Sequence, residues 1–316
     1  MSSARPPSAA GHHHAQGEGL PGSALPNTRE LRRSALFERL GLLALVAPAL
    51  LLILVTMLLP VGWLFYLSVL SDSGAFSLEH YQRMWEHPSY ARTFWTTFQV
   101  SALTTGICVL LGYPLAYFLS EIPKRAANLC MIAVLLPLWT SLLVRTYAWL
   151  VLLQRRGLVN SWGIELGLWD EPLTLVHNLA GTLIGMVHVM LPFLVLPLYS
   201  AMRAIDRTYL RAAANLGASP LRSFWLVFFP LAMPGLVTGS LIVFILCLGF
   251  YVTPAVLGGG KVIMVSSRIA NDIEIFFNWG AASALGVVLL VLTVLLILAA
   301  GRLVRMDRVL GGEGKA

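Results

Sequence analysis

The sequence predicts an all-α membrane protein with six transmembrane helices and both termini cytoplasmic. Three observations predict it. The 316 residues are 57% hydrophobic and only 12% charged, about half the charged share of soluble domains. Six apolar stretches each approach or exceed the ~20 residues needed to cross ~30 Å of hydrocarbon. The basic residues are sorted by side: 15 of the 22 lysines and arginines fall in the termini and in the loops after the second and fourth stretches. Six fall in the other loops, and Arg145 lies inside a stretch. Cytoplasmic loops carry such an excess. The net charge of +7 is therefore topological, and no nucleic-acid partner is expected.

Taken in order, residues 1–33 are rich in Ser, Ala, Pro and Gly and read as a disordered cytoplasmic tail. His12, His13 and His14 read there as a solvated run rather than a metal site. No cleavable signal is expected, because no short apolar core precedes the first span. The first transmembrane helix and its external loop occupy 34–92. The span runs over about Leu40–Leu70 with Pro48 and Pro60 inside, tolerable when neighbours satisfy the backbone. Ser71–Arg92 is polar and aromatic, an external loop with a short interfacial helix. The other five spans form one membrane domain, 93–304. Span 2 covers Thr93–Leu119, and the loop Glu121–Ala127 holds Lys124 and Arg125. Span 3 is expected as one helix over Leu129–Leu153, broken only by Arg145. An external segment, Gln154–Glu171, leads to span 4 at Val176–Met202. Span 5 covers Trp225–Thr253 and is stopped by Pro254. An external loop reaching Asn278 precedes span 6 at Ala281–Val304, and residues 305–316 form a cytoplasmic tail. Cys108, Cys130 and Cys247 all fall inside spans and form no CxxC pair, so neither a disulfide framework nor a zinc site is expected.

The cytoplasmic loop after span 4 reads RAAANLGASPLRSFWLVFFP, Arg211 to Pro230. Asp206 can cap a helix over Arg207–Leu216, because its carboxylate accepts orphan amides of the first turn. Gly217 suits the left-handed position that ends a helix. Ser219 and Pro220 restart one as cap and first residue. The local expectation is helix, glycine elbow, helix, with small residues at Ala212, Ala213 and Gly217 that admit a close surface. An ordinary helical hairpin would share these local features.

The loop resembles the EAA loop of binding-protein-dependent ABC importer permeases. That family reads E-A-A, three residues, G, nine residues, then I-x-L-P. Ala212, Ala213, Gly217 and Pro230 match, with Val227 for the isoleucine. Arg211 stands in place of the usual glutamate and Phe229 in place of leucine. The charge reversal at Arg211 puts any ion pair of that glutamate in doubt; either the ATPase groove is complementary to it or the partner permease carries the acid. Leu136–Asn160 and Gly249–Ile269 are similar to the spermidine/putrescine branch, and the resemblance spans about Thr96–Gly301. The resemblance implies a type I importer transmembrane domain in the bacterial inner membrane. It implies a cytoplasmic ATPase dimer carrying ATP and magnesium, a second permease, and a periplasmic substrate-binding protein. The ATPase-coupling residues would be Arg211, Ala212, Ala213, Gly217 and Pro230, and this chain would hold no cofactor or metal. The cargo would be a small solute, polyamine-like.

Candidate pathway or gate residues follow from polarity inside spans. On a straight span 3, Arg145 sits ~24 Å along, near the external face. Two roles stay open: an anchor that snorkels or stacks on Trp149, and a group lining the path. Trp139, Thr140 and Ser141 form a mid-span polar patch that can pack between helices or face a solute. Tyr251, Thr253 and Pro254 break the end of span 5 and are placed near an external gate. Trp63, Trp149, Trp162 and Trp169 are expected in the interface belt. There is no Walker A sequence: GGGKV at Gly258–Val262 lacks the first glycine and the Ser or Thr. His177 and His188 are isolated and read as packed rather than catalytic, so the chain is not expected to be an enzyme. The rival reading, an ion-coupled secondary transporter, would normally place carboxylates or histidines in mid-span, and the spans hold no Asp or Glu well inside.

Overall fold

The computed structural model describes residues 28–71 and 74–310, with side chains described for 44–71 and 74–302. The expectations for residues 1–27, including His12–His14, and for the last six residues fall outside the described residues. Apart from one antiparallel bridge between Leu70 and Phe76, the regular structure among the described residues is helical. Two compact units divide the chain, up to Pro60 and from Val61 onward. In the first, α1 (Thr28–Ser68, which continues into the second) begins six residues ahead of the expected tail boundary and carries Pro48 and Pro60 inside it.

In the second unit, α2 (Glu79–Glu86) is the short helix foreseen between spans 1 and 2. Helix α3 (Pro88–Glu121) starts on Pro88, whose fixed φ suits a first turn. It is followed by α4 (Lys124–Leu135), α5 (Leu142–Leu152), α6 (Leu158–Glu165) and α7 (Leu179–Ala204). Then come α8 (Arg207–Asn215), α9 (Pro220–Ser223), a π-turn at Phe224–Phe228, and α10 (Phe229–Leu248). Helices α11 (Val252–Leu257), α12 (Val265–Glu274) and α13 (Trp279–Leu310) close the chain. Five helical segments are long and apolar enough to cross a membrane, at Ala44–Ser68, Pro88–Glu121, Leu179–Ala204, Pro220–Leu248 and Trp279–Arg302.

The sixth candidate is not one straight helix. Between Lys124–Trp139 and Leu142–Leu152 the chain bends by 95°, which corrects the expectation for span 3. Pro137 and the extended Thr140 sit at the break, and Thr140 Oγ1 bonds the Pro137 carbonyl at 2.7 Å. A second correction concerns span 5. Helix α10 stops at Leu248, and Gly249–Tyr251 turn the chain into α11. Pro254 lies in the first turn of α11 and does not stop the span. The segments expected to be external hold α6 and α12, and α11 straddles the expected end of span 5.

The core is built by α3, α7 and α10. Val100 and Cys108, Met186, Met190 and Leu194, and Val243 and Cys247 are buried together. Small residues set the helix distances. A Cβ on Gly112 would meet Leu194 Cδ2 at 2.6 Å, and one on Gly235 would meet Ala201 Cβ at 2.3 Å. Membrane helices pack closely through such positions because apolar burial alone does not drive them together. A second cluster, Ala116, Leu119, Met131, Leu198, Met202 and Phe228, joins α3, α4 and α7 to the π-turn.

Candidate coupling elbow and pathway residues

The elbow follows from its caps. Asp206 Oδ1 accepts from Thr208 N at 2.8 Å and from Thr208 Oγ1 at 2.7 Å. These bonds to Thr208, backbone first, with the nearby Arg211 charge, hold the Asp206 carboxyl below its ordinary value. At the other end Gly217 has φ +84°. Gly217 N bonds Ala214 O at 2.9 Å, and Ala218 N bonds Ala213 O at 3.0 Å. This pair of bonds is the Schellman closure, which satisfies carbonyls that the helix leaves free. Ser219 Oγ then accepts from Arg222 N at 3.4 Å, and Pro220 opens α9. Ala212 and Gly217 are exposed, Ala213 is half-buried, and Pro230 lies exposed at the start of α10.

Sequence reasoning missed what fastens the elbow. Arg203 Nη1 donates to the carbonyls of Ser120 and Ile122 at 2.8 and 3.2 Å. Arg207 Nη2 donates to Ser120 O at 3.2 Å, and Arg207 pairs with Glu121. The Arg207 guanidinium also lies 5.8 Å over the Phe228 ring. Two guanidiniums thus hold the C-terminal carbonyls of α3, where the helix dipole favours cations. Counting these arginines for topology hid this role. The i, i+4 spacing of Arg203 and Arg207, extended by Arg211, was the available signal.

The break gathers the other candidates differently from expectation. Arg145 is 9% exposed, so it does not reach water as an anchor. The depth read for it assumed a straight helix. Its Nη2 donates to Thr140 O at 3.0 Å, while Nε and Nη1 have no partner among the described residues. The guanidinium therefore serves a carbonyl that the bend leaves free. Arg145 does not stack on Trp149. Trp149 is half-buried and donates from Nε1 to His188 Nδ1 at 2.9 Å. Trp139, Thr140 and Ser141 are exposed in this chain, Trp139 by 82%, and do not pack between its helices. Thr253 is buried and sits 3.3 Å from Thr146, Oγ1 to Oγ1, tying α11 to α5. Pro254 is buried beside it, and Tyr251 is 40% exposed. Arg145, Thr146 and Thr253 are thus joined through α5, and Trp139 stands apart.

Residues 43–306 match the family described as the binding-protein-dependent transport system inner membrane component. The chain belongs to that family. It is the permease subunit of an ABC importer, which sets aside the secondary transporter. It is 37% identical over 221 residues to the spermidine/putrescine transport system permease protein PotB of Haemophilus influenzae, covering 70% of this chain and 77% of that one. It is 31% identical to PotB of Escherichia coli, covering 73% and 84%. The molybdenum transport system permease protein ModB of Mycobacterium bovis is 30% identical, covering 68% and 80%. In fold it is similar to a bacterial ABC transporter that imports alginate, with TM-score 0.68 at 16% identity, covering 88% of this chain and 98% of that one. The same kind of transporter in complex with an alginate-bound periplasmic protein superposes with TM-score 0.71 at 16% identity, covering 89% and 97%.

Proposed function

We propose that this permease admits a polyamine-like solute across the bacterial inner membrane and is driven through its elbow by a separate ATPase. The observation that supports the coupling role is the capped turn of Asp206–Pro220, clamped to the end of α3. A push on α8 reaches α3 through Arg203 and Arg207, and reaches α10 through α9 and the π-turn. Both termini and the elbow lie in the cytoplasm, and the α4–α5 pair makes the third of six crossings. A cytoplasmic ATPase dimer, carrying ATP and magnesium, docks on this elbow and on that of a second permease, related to this chain. A periplasmic binding protein delivers cargo to the external segments 71–92 and 255–278. Closure of the ATPase dimer turns the elbows and opens the path outward.

Arg211, Ala212, Ala213, Gly217 and Pro230 form the coupling element. The pathway or gate draws on Trp139, Thr140, Ser141, Arg145, Tyr251, Thr253 and Pro254, with the break at Thr140 near the permease interface. Exposed backbone in a membrane is tolerated where it is buried by protein or lines a cavity, and a second permease would supply that cover. The spermidine/putrescine relatives support the cargo class. Uptake of labelled putrescine, spermidine, amino acids and oxyanions in cells lacking this gene tests it. Selective loss of polyamine uptake, restored by the native chain, is the expected result. Selective loss of molybdate uptake would replace the cargo assignment.

A further inference from the structure

Three guanidiniums line one cytoplasmic cleft of about 580 Å³, Arg203, Arg207 and Arg211, together with Ser120, Glu121 and Leu210. Two of the three are occupied. Arg203 holds carbonyls of the α3 end, and Arg207 holds Glu121. Arg211 is exposed and has no carboxylate partner among the described residues. Asp206, the acid nearest in sequence, feels the Arg211 charge but spends its hydrogen bonds on Thr208 and forms no ion pair with Arg211. The cleft thus carries three positive charges against one negative charge. The elbow also exposes Tyr209, Leu216 and Leu221, with Leu216 89% exposed. Bare apolar side chains and an exposed cation on one elbow are the pattern of an uncovered protein interface with a polar rim.

We propose that the cleft receives an acidic side chain of the ATPase, so that the ATPase groove serving this permease carries a carboxylate facing Arg211. This rests on the coupling role proposed above. Complementary charge at a rim steers encounter and rejects wrong partners, and like charges placed there are strongly unfavourable. In a heteromeric importer such a pair also sets which ATPase face meets this elbow rather than the elbow of the second permease. The solvated position of Arg211 makes the contact sensitive to salt.

The test uses the whole importer, isolated through a tag on this chain and held in lipid nanodiscs, with retained ATPase and retained second permease measured at rising salt. The native chain is expected to keep its ATPase near 0.15 M salt and lose it progressively above. Arg211→Glu, present in the membrane at native level and still holding the second permease, is expected to retain at least tenfold less ATPase. Arg211→Gln is expected to fall between them with a flatter salt dependence, and carries the test if the glutamate variant is poorly made. Native retention by Arg211→Glu overturns the inference while leaving the coupling role in place. Loss of the second permease instead of the ATPase overturns it in favour of an acid on that chain. An effect confined to nanodiscs containing phosphatidylglycerol overturns it in favour of a lipid headgroup. A native chain that retains no ATPase at any salt overturns both this inference and the coupling role.

Discussion

Gly217 is the most informative place to perturb the elbow. Its φ is +84°, and a Cβ built there meets nothing within 4 Å. Substitution therefore adds backbone strain without a clash. For an ordinary L-residue the left-handed region costs about 1–2 kcal/mol, whereas asparagine visits it at much smaller cost. If docking the ATPase requires the closed turn, that strain appears in the binding constant. Gly217→Ala is then expected to weaken ATPase binding to the nanodisc-held permease by about 5- to 30-fold, since 1.4 kcal/mol is a factor of ten. Gly217→Asn is expected to stay within about threefold of native, although its side chain is larger. The assay is titration of labelled ATPase onto the immobilised permease pair. The order native, Asn, Ala is the signature of backbone strain. Alanine binding as tightly as native, or asparagine binding more weakly than alanine, would refute the reasoning.

Other outcomes follow from the same geometry. Asp206→Ala should raise hydrogen exchange at the Thr208 amide. The Asp206 carboxyl is held below its ordinary value of 3.8, so its cap is fully in place above that pH and fades as pH falls through the lowered value; exchange followed across acidic pH checks the sign. Arg203→Met removes charge-assisted bonds to two carbonyls and should cost about 2 kcal/mol of stability. Glu121→Gln, at a pair more than a third exposed, should cost under about 1 kcal/mol; thermal unfolding in detergent compares the two. Gly235→Val forces a Cβ against Ala201 at 2.3 Å and should cost at least about 1–3 kcal/mol, read as loss of folded protein from the membrane. Arg145→Ala should leave the importer assembled yet depress uptake, and normal uptake would remove Arg145 from the pathway.

The elbow was legible because its chemistry is local. Asp206, Gly217, Ser219 and Pro220 each satisfy a backbone requirement within four residues, and no distant contact is needed to place them. Five of the spans and their approximate limits were legible from apolar length, as α3, α7 and α13 illustrate. The α4–α5 break was not, because Thr140 and Ser141, the two polar residues at it, are uncharged and leave the stretch apolar enough to read as one span. Pro137 was no guide, since Pro114, Pro192, Pro197 and Pro234 all remain inside continuous helices. What sets Pro137 apart is the extended Thr140 beside it and the Arg145 side chain that serves the freed carbonyl. The burial of Arg145 and the Trp149–His188 bond depend on which helices meet. The same holds for the clamp on α3, which joins residues more than 80 positions apart.

The central claim is that ATP drives this permease through the Asp206–Pro220 elbow. It is tested most directly by uptake in cells lacking the gene, with the proton gradient dissipated and ATP maintained, after complementation by the native chain or by Gly217→Val, whose β-branched side chain is strongly disfavoured at positive φ. The native chain should restore uptake of one solute class, and Gly217→Val, present in the membrane at native level, should restore markedly less. Full restoration by Gly217→Val would contradict the elbow, and loss of native uptake on dissipating the gradient alone would contradict ATP as the driving force.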